Sequence, residues 1–277
     1  RMNRYIVNSE GTRVAVTDDY YQVFVSAVCR AEDGLLLQDT VTRYGRVASD
    51  IPSPDTLVRE ARDLATRLVK LRKAPVLEPA TVPVLMSPEA TGVFFHETIG
   101  HRLEGQRQED EDEGRTFKSY MNRKILPDFI SLRDDPTRAR VGDTALNGWY
   151  KLDDEGVKGQ DVVLVENGVL KSFLMSRRPV EGFGTSNGHG RSDGFQRPMA
   201  RMANLIVEGR DPVSHDAIRA RLLEEVRKQD RPYGLIVQTS AGGATNTSSF
   251  GFQAFKGLPR VAWRVDAKTG EEELVRG

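Results

Sequence analysis

The stretch "VPVLMSPEATGVFFHETIGHRLEG", from Val82 to Gly105, combines a short apolar run with a helix-start signal and a histidine-containing turn. The run VPVLMS predicts a strand that leads directly into the helix. Ser87 is a typical N-cap residue, and Pro88 is favoured at the first helical position. Gly105 is a typical stop signal at a helix C-terminus. Together these signals predict a strand followed by a helix from Pro88 to about Glu104.

Two histidines lie within this predicted helix. His96 and His101 are five residues apart, and Glu97 directly follows the first histidine. Because an α-helix turns by about 100° per residue, a five-residue spacing leaves two side chains about 140° apart. The imidazoles can therefore reach one metal ion only if the helix contains a π-bulge or ends between them. Gly100 is the position at which such a distortion costs least.

The residue types at this helix fit a catalytic zinc site. Neutral His96 and His101 would bind Zn²⁺, and Glu97 would act as general base. Glu104 lies one turn beyond His101 and would accept the free ring N–H of a ligand histidine. A catalytic zinc also needs a third protein ligand, which this helix does not supply. On spacing alone, two ordinary polar histidines on a half-exposed helix are an equally good interpretation.

Outside this segment, the pattern predicts mostly β-structure. The alternating stretch from Arg4 to Ser49 predicts a β-meander, and a helix with Ser53 as its N-cap follows from Pro54. The proline-rich linker APVLEPATVP predicts a domain boundary between residues 1–75 and residues 76–277. The resulting fold class is α+β: mostly antiparallel sheet with a few helices, and the metal-motif helix packed on the C-terminal domain.

Two local signals in the C-terminal part are strong. The pair Asn167-Gly168 joins two alternating runs, which predicts a β-hairpin with a tight turn. An amphipathic pattern beginning near Ser214 predicts another helix. Short strands are expected elsewhere in this region.

The polar loops are open to two interpretations each. The acidic segment from Gln106 to Arg115 is expected to be a solvated loop, with a second metal site as the lesser alternative. In the loop TSNGHGR, Asn187 and Arg191 would bind carbonyls or a carboxylate of a peptide, or the loop is only a glycine-rich connection. His189 in that loop is expected to be exposed to solvent.

The composition narrows the class of protein. Forty Lys and Arg residues balance forty Asp and Glu residues, which argues against a nucleic-acid-binding protein. No apolar stretch approaches the ~20 residues that a membrane-spanning helix requires, and no signal peptide is visible. The single cysteine, Cys29, excludes an intramolecular disulfide and favours a cytoplasmic location.

Several motifs together resemble one family. HETIGHRLEG matches an H-E-x-x-x-H pattern, and the segments DDEGVKGQDVVLVENGVLKSFLMSR, TSNGHGR and PMARMANLIVEG follow it in order. In these motifs the chain resembles the TldD/PmbA family of metallopeptidases, and specifically its zinc-bearing TldD side. The resemblance extends over nearly the whole chain, and it is far more specific than the pair of histidines.

This resemblance implies Zn²⁺ as the cofactor and an enzyme that hydrolyses small or unfolded peptides, bound in an extended form, for peptide maturation or degradation. It implies a homodimer, or a heterodimer with a metal-free PmbA-like subunit. The family's third zinc ligand is a cysteine near the C-terminus, which is expected beyond residue 277, and Cys29 does not match it. The resemblance makes residues 1–75 the end of an N-terminal α/β domain and residues 76–277 a β-rich C-terminal metallopeptidase domain. The chain is thus expected to lack the N-terminal part and the C-terminal end of the family, and to be inactive without that ligand. The alternative is a non-catalytic, PmbA-like peptide-binding or scaffold subunit, although the H-E-x-x-x-H motif argues against it.

Overall fold

The fold is α+β, as the sequence predicts. The computed structural model describes residues 1–109, 112–250 and 252–277. Within these ranges the α-helices are α1 (Pro54–Leu71), α2 (Pro88–Thr98) and α3 (His215–Lys228). No helix in this part of the chain is long and apolar enough to cross a membrane.

The N-terminal strands form two separate antiparallel hairpins. One pairs β1 (Met2–Val7) with β2 (Arg13–Asp18), and the other pairs β3 (Tyr21–Arg30) with β4 (Leu36–Gly45). The predicted continuous meander is therefore wrong, because β2 and β3 lie in different sheets. The connection between them is Asp19-Tyr20, which contains neither the glycine nor the asparagine that a tight hairpin turn favours.

Helix α1 joins the second hairpin to the C-terminal part of the chain. Ser53 caps the helix by accepting a hydrogen bond from the backbone N–H of Thr56 at 3.3 Å, as the sequence predicts. The buried face of α1 packs on the hairpin and on Val261. The apolar residues of this cluster are Ala31, Leu37, Leu64, Leu68, Leu71 and Val261.

One four-stranded sheet carries most of the C-terminal strand length. Its strands, in spatial order, are β16 (Glu272–Val275), β15 (Ala254–Asp266), β14 (Tyr233–Asn246) and β5 (Val84–Met86). Strand β5 runs parallel to β14, and the other pairs are antiparallel. The β14–β15 register is irregular between Val237 and Gly243. Helix α3 begins near Ser214 as predicted, is capped by the side chain of that residue, and packs on this sheet.

A second four-stranded sheet lies on the other side of α2. Its strands, in spatial order, are β10 (Val169–Leu170), β9 (Val162–Glu166), β6 (Ile130–Asp134) and β13 (Leu205–Gly209). Two short pairs lie outside both sheets: β7 (Arg140–Val141) with β8 (Thr144–Ala145), and β11 (Gly190–Arg191) with β12 (Met199–Ala200). The predicted hairpin at Asn167-Gly168 is confirmed, with φ of 48° and 79° at these two residues.

Helix α2 lies between the two sheets. Phe95 and Ile99 on one face join the largest buried cluster, which includes Leu132 and Leu164 of the second sheet. On another face, the ring of Phe94 meets that of Phe255 on β15, with their centroids 5.5 Å apart. Because both sheets hold the helix, its C-terminal end and the residues that follow it have a defined position.

Candidate metal centre

The α-helix ends before the second histidine. The predicted helix from Pro88 to Glu104 is too long, because α2 stops at Thr98 and residues Gly100–Leu103 form a 3₁₀ turn. The five-residue spacing requires either a bulge in the helix or an end of the helix between the histidines. The structure shows that the helix ends between them. Gly100 allows this turn to pack closely, since a Cβ atom there would lie 2.2 Å from Sδ of Met202.

This break in the helix brings the polar side chains together. The ring centroids of His96 and His101 are 4.6 Å apart, with the rings inclined at 81°. Nε2 of His101 lies 3.9 Å from Oε2 of Glu97. One donor atom from each of the three residues lies within 4.8 Å of the other two, and the described residues contain no other such His, Cys, Asp or Glu group. Three donors of the kind that bind zinc therefore lie close together.

Glu104 holds the ring of His101. Its carboxylate is completely buried, and Oε1 accepts a hydrogen bond from Nδ1 of His101 at 3.0 Å. Since a carboxylate only accepts, this contact places the ring proton on Nδ1 and leaves Nε2 free for a metal ion. Arg107 donates to Oε2 of Glu104 at 2.7 Å, and Arg201 donates to Oε1 at 3.2 Å.

The charge of Glu104 follows from these partners. Burial by itself would raise the pKa of this carboxyl group, but the hydrogen bond from His101 and the charges of Arg107 and Arg201 outweigh it. The pKa of Glu104 is therefore lowered, and the group is a carboxylate at neutral pH. An anion buried in this position is what keeps the His101 ring in one orientation.

Replacing Glu104 by glutamine is expected to lower the free energy of unfolding at pH 7 by about 1–3 kcal/mol, because buried donors lose a charged acceptor. Because the pKa of Glu104 is lower in the folded protein than in the unfolded chain, its ionised carboxylate stabilises the fold at every pH above the unfolded pKa. This stabilisation is lost as the pH falls from the unfolded pKa through the folded pKa. The difference in the free energy of unfolding between the wild type and Glu104→Gln should therefore become smaller below the ordinary carboxyl pKa of 4.5.

Urea unfolding of both proteins in the presence of a metal chelator, at neutral and acidic pH, measures this difference. Glu78→Gln is the matched control, because Glu78 is exposed and should give no difference at any pH. If the difference in the free energy of unfolding between the wild type and Glu104→Gln stayed constant on acidification, Glu104 would not be the carboxylate assigned here.

The position of Glu97 is fixed by a hydrogen-bonding residue on strand β14. Oγ1 of Thr245 lies 2.6 Å from the backbone carbonyl oxygen of Glu97 and 2.5 Å from its Oε2. Gly243, on the same face of the strand, allows this approach, because a Cβ atom there would lie 2.6 Å from Cγ of Glu97. Neither residue is assigned by the sequence analysis. The available signal is the small-residue run SAGGATNTSS, since glycines inside a strand often mark a close approach.

His96 is suited to binding a metal ion at neutral pH. Partial burial lowers the pKa of its imidazole, and the neighbouring His101 lowers it further. The ring is therefore neutral at pH 7, which is the form that donates a lone pair to zinc.

The two residues predicted to bind substrate lie in hydrogen bonds within the chain. Oδ1 of Asn187 accepts from the backbone N–H of Met175 at 2.7 Å, and its Nδ2 donates to the carbonyl of Phe173 at 2.8 Å. Nε of Arg191 donates to Asp154 at 3.0 Å, and its guanidinium stacks on the ring of a buried tyrosine. The structure records no contact between either side chain and His96, Glu97 or His101, so their role in substrate binding stays a prediction.

The expectation that His189 is exposed is wrong. This ring is completely buried, with Nε2 3.2 Å from Oδ1 of Asp134 and Nδ1 3.0 Å from Oδ1 of Asn187. Asp134 also accepts hydrogen bonds from the backbone N–H groups of Ala203 and Asn204. A polar loop can enter the interior when its polar groups find partners there, and the composition of the loop does not show this.

The acidic segment is only partly described, and its start is not a solvated loop. Residues Gly105–Gln108 form a 3₁₀ turn in which Gln106 and Gln108 are buried. Gln106 exchanges two hydrogen bonds with the backbone of Ala200, at 3.2 and 3.1 Å. Residues 110 and 111, at the centre of the acidic run, lie outside the described residues.

Comparisons with known proteins show the family and the fold of the chain. Residues 79–258 match the family model described as "PmbA/TldA metallopeptidase C-terminal domain". This match covers more than half of the chain, and the chain belongs to the TldD/PmbA family of metallopeptidases.

Individual relatives give the same assignment. The chain is 29% identical to a metalloprotease of Methanocaldococcus jannaschii over 253 residues, which are 90% of this chain and 51% of that protein. It is 27% identical to a zinc metalloprotease TldD homolog of Saccharolobus solfataricus over 76% of this chain and 43% of the relative. The crystal structure of TldE from Thermococcus kodakarensis has a similar fold, with a TM-score of 0.69 and 19% identity over 96% of this chain and 55% of the other. The chain thus spans about half the length of the curated relatives it matches.

Proposed function

We propose that this chain carries the metal-binding and catalytic part of a zinc peptidase that hydrolyses small or unfolded peptides. The observation that carries the proposal is the convergence of His96, Glu97 and His101, whose donor atoms lie within 4.8 Å of one another. A relative described as a zinc metalloprotease supports zinc as the metal.

The donor set fits zinc. Imidazole nitrogens are common zinc ligands, and a ligand histidine usually donates its other ring N–H to an oxygen acceptor, as His101 does to Glu104. For the third ligand we propose the cysteine that the family resemblance places beyond residue 277. Cys29 is not a candidate, because its sulfur lies against the backbone of α1, with Sγ 4.0 Å from the carbonyl oxygen of Leu68.

Each residue then has a defined task. Zinc bound at this site would supply Lewis acidity, polarising the scissile carbonyl and lowering the pKa of water. Glu97 takes a proton from the attacking water and gives it to the leaving amine nitrogen. The hydroxyl of Thr245 fixes one oxygen of the Glu97 carboxylate, so the other is available for the proton. Glu104 keeps the His101 ring from rotating.

The substrate and the assembly belong to the same proposal. An unfolded peptide would bind in an extended form, as a strand added to a sheet edge, which gives affinity through backbone hydrogen bonds. The active form would be a homodimer, or a heterodimer with a PmbA-like subunit, in the cytoplasm. Light scattering of the protein, alone and mixed with a PmbA-like subunit from the same source, distinguishes these two assemblies.

The test of the proposed function uses zinc and an unfolded protein substrate. The protein in its full length, with the proposed cysteine ligand present and one equivalent of zinc bound, is expected to cleave reduced, unfolded casein, with the products identified by mass spectrometry. A chelator should stop cleavage, and added zinc should restore it. If the protein bound casein but did not cleave it, either with or without zinc, the result would favour the non-catalytic scaffold subunit.

Replacing Thr245 by valine is expected to lower kcat by about ten- to a hundredfold, the effect of losing a hydrogen bond to a charged group. KM and zinc content should stay as in the wild type, because Thr245 contacts only Glu97 among the proposed site residues. Steady-state kinetics with one peptide substrate measures both parameters. Thr245→Ser, which keeps the hydroxyl, should restore kcat.

Thr239→Val is the matched control on the same strand. Oγ1 of Thr239 is buried without a hydrogen-bond partner, so its removal costs no hydrogen bond. Equal losses of kcat in Thr239→Val and Thr245→Val would show that Thr245 acts only through the stability of the strand.

A further inference from the structure

An apolar cavity of about 260 Å³ lies between α2 and the sheet that contains β14 and β15. Four elements supply its walls: strand β5, helix α2, and the paired strands β14 and β15. The residues that matter here are Val84, Ala90, Val93, Phe94, Phe255 and Leu258. With Glu97 and Ser240 as the exceptions, the side chains lining the cavity are apolar.

Glu97 is one of the residues that line this cavity. Ala90 lies three and four residues before Val93 and Phe94, and Glu97 lies four and three residues after them, so the four residues form a single stripe along α2. Oε2 of Glu97 also lies 3.9 Å from Nε2 of His101 in the candidate metal centre. A group that fills the cavity therefore lies directly beside the residue proposed to move the proton.

The cavity is open to solvent and unfilled by the chain. Phe255 is 46% exposed, Leu258 is 43% exposed and Val84 is 40% exposed, although each is a large apolar side chain. Gly257 also lines the cavity, and a Cβ atom there would meet nothing within 4 Å. Neighbouring exposed apolar residues of this kind often mark a ligand-binding groove.

We infer that this cavity binds an apolar side chain of the substrate, of the size of leucine or phenylalanine, at a residue next to the scissile bond. The inference rests on the proposed function, since it places the reacting carbonyl beside Glu97. An apolar side chain gains from burial against these walls. A charged one would lose its hydration here without the partners it needs.

The continuity of the cavity with Glu97 distinguishes this occupant from others. A protein partner docked on these residues would cover the carboxylate and block the approach of a peptide to it. A substrate side chain fills the same space while its backbone runs past Glu97. The geometry thus assigns the cavity to the peptide that is being cleaved.

The first experiment compares peptides that differ at one residue beside the cleaved bond. With zinc-loaded protein, kcat/KM for leucine or phenylalanine should exceed that for alanine by about tenfold or more, and aspartate should give the lowest value. Gly257→Leu, which places a side chain in the open space, should abolish the preference for large apolar residues. Gly209→Leu is the matched control, because Gly209 is also an exposed strand glycine with open space around it.

The second experiment measures binding without catalysis. N-acetyl-phenylalaninamide and N-acetyl-alaninamide are added to metal-free protein, and amide resonances of Val93 and Phe255 are followed by NMR. The phenylalanine compound should shift these resonances saturably in the wild type and in Gly209→Leu, but not in Gly257→Leu. The alanine compound should bind at least about tenfold more weakly.

The two experiments separate the inference from the proposed function. Peptide cleavage with no preference for apolar residues, unchanged by Gly257→Leu, would overturn the inference and leave the peptidase in place. Saturable binding of the phenylalanine compound without any peptide cleavage would support the apolar site and reject the peptidase. Resonances that move equally with both compounds, or not at all, would overturn the inference whatever the activity.

Discussion

Replacing Glu97 by glutamine is expected to lower kcat for peptide hydrolysis by about 10²- to 10⁴-fold, the usual contribution of a general base. Glutamine has nearly the same shape as glutamate and still accepts a hydrogen bond from Thr245, but it cannot take a proton from water. Zinc content should stay near that of the wild type, because the two histidines are unchanged. Initial rates with one peptide, together with the zinc content measured by mass spectrometry, test both statements.

Glu166→Gln provides the control for the loss of a negative charge, since Glu166 lies at the exposed end of β9. This variant should hydrolyse the peptide at the wild-type rate. If Glu97→Gln retained full turnover with zinc bound, Glu97 would not be the base. If it lost both turnover and zinc, the carboxylate would act as a metal ligand.

Replacing His101 by alanine is expected to remove stoichiometric zinc. Loss of an outer partner of a ligand histidine commonly lowers metal affinity by about 10- to 100-fold, so loss of the ligand itself should lower it further. The substitution should also free Glu104 from one of its hydrogen bonds. Zinc titration against a chromophoric chelator gives the affinity of each protein.

His215→Ala is the matched control for this experiment. His215 is the first residue of α3 and is exposed, so its removal should leave zinc affinity unchanged. Equal zinc affinities for His101→Ala and the wild type would place the metal elsewhere and would remove the basis of the proposed function. Circular dichroism of each variant shows whether the fold is retained.

Elements with strong local signals are predictable from the sequence. The cap at Ser53, the start of a helix near Ser214 and the turn at Asn167-Gly168 each depend on residues close together in the chain, and each is found in the structure. The pairing of the N-terminal strands is not of this kind. Alternation predicts strands, but it does not say which strand lies beside which, and the chain forms two hairpins instead of a meander.

The sequence predicts the residue types of the candidate site, but it does not predict the distant residues that hydrogen-bond to them. The spacing of His96 and His101 requires a bulge or an end of the helix, and only the structure shows which of these is present. Thr245 lies 148 positions from Glu97, so no local pattern connects them. The same holds for Arg201, which pairs with Glu104 from 97 positions away.

The irregular register of β14 has a consequence for how this site tolerates insertions and deletions. Side chains alternate between the two faces of a strand, so a shift by one residue moves each to the opposite face. The irregularity lies between Val237, beside β5, and Gly243, beside Glu97. The number of residues within it therefore decides whether the hydroxyl of Thr245 points toward Glu97 or away from it. The length of this segment is therefore as important to the proposed catalytic site as the identity of any side chain in it.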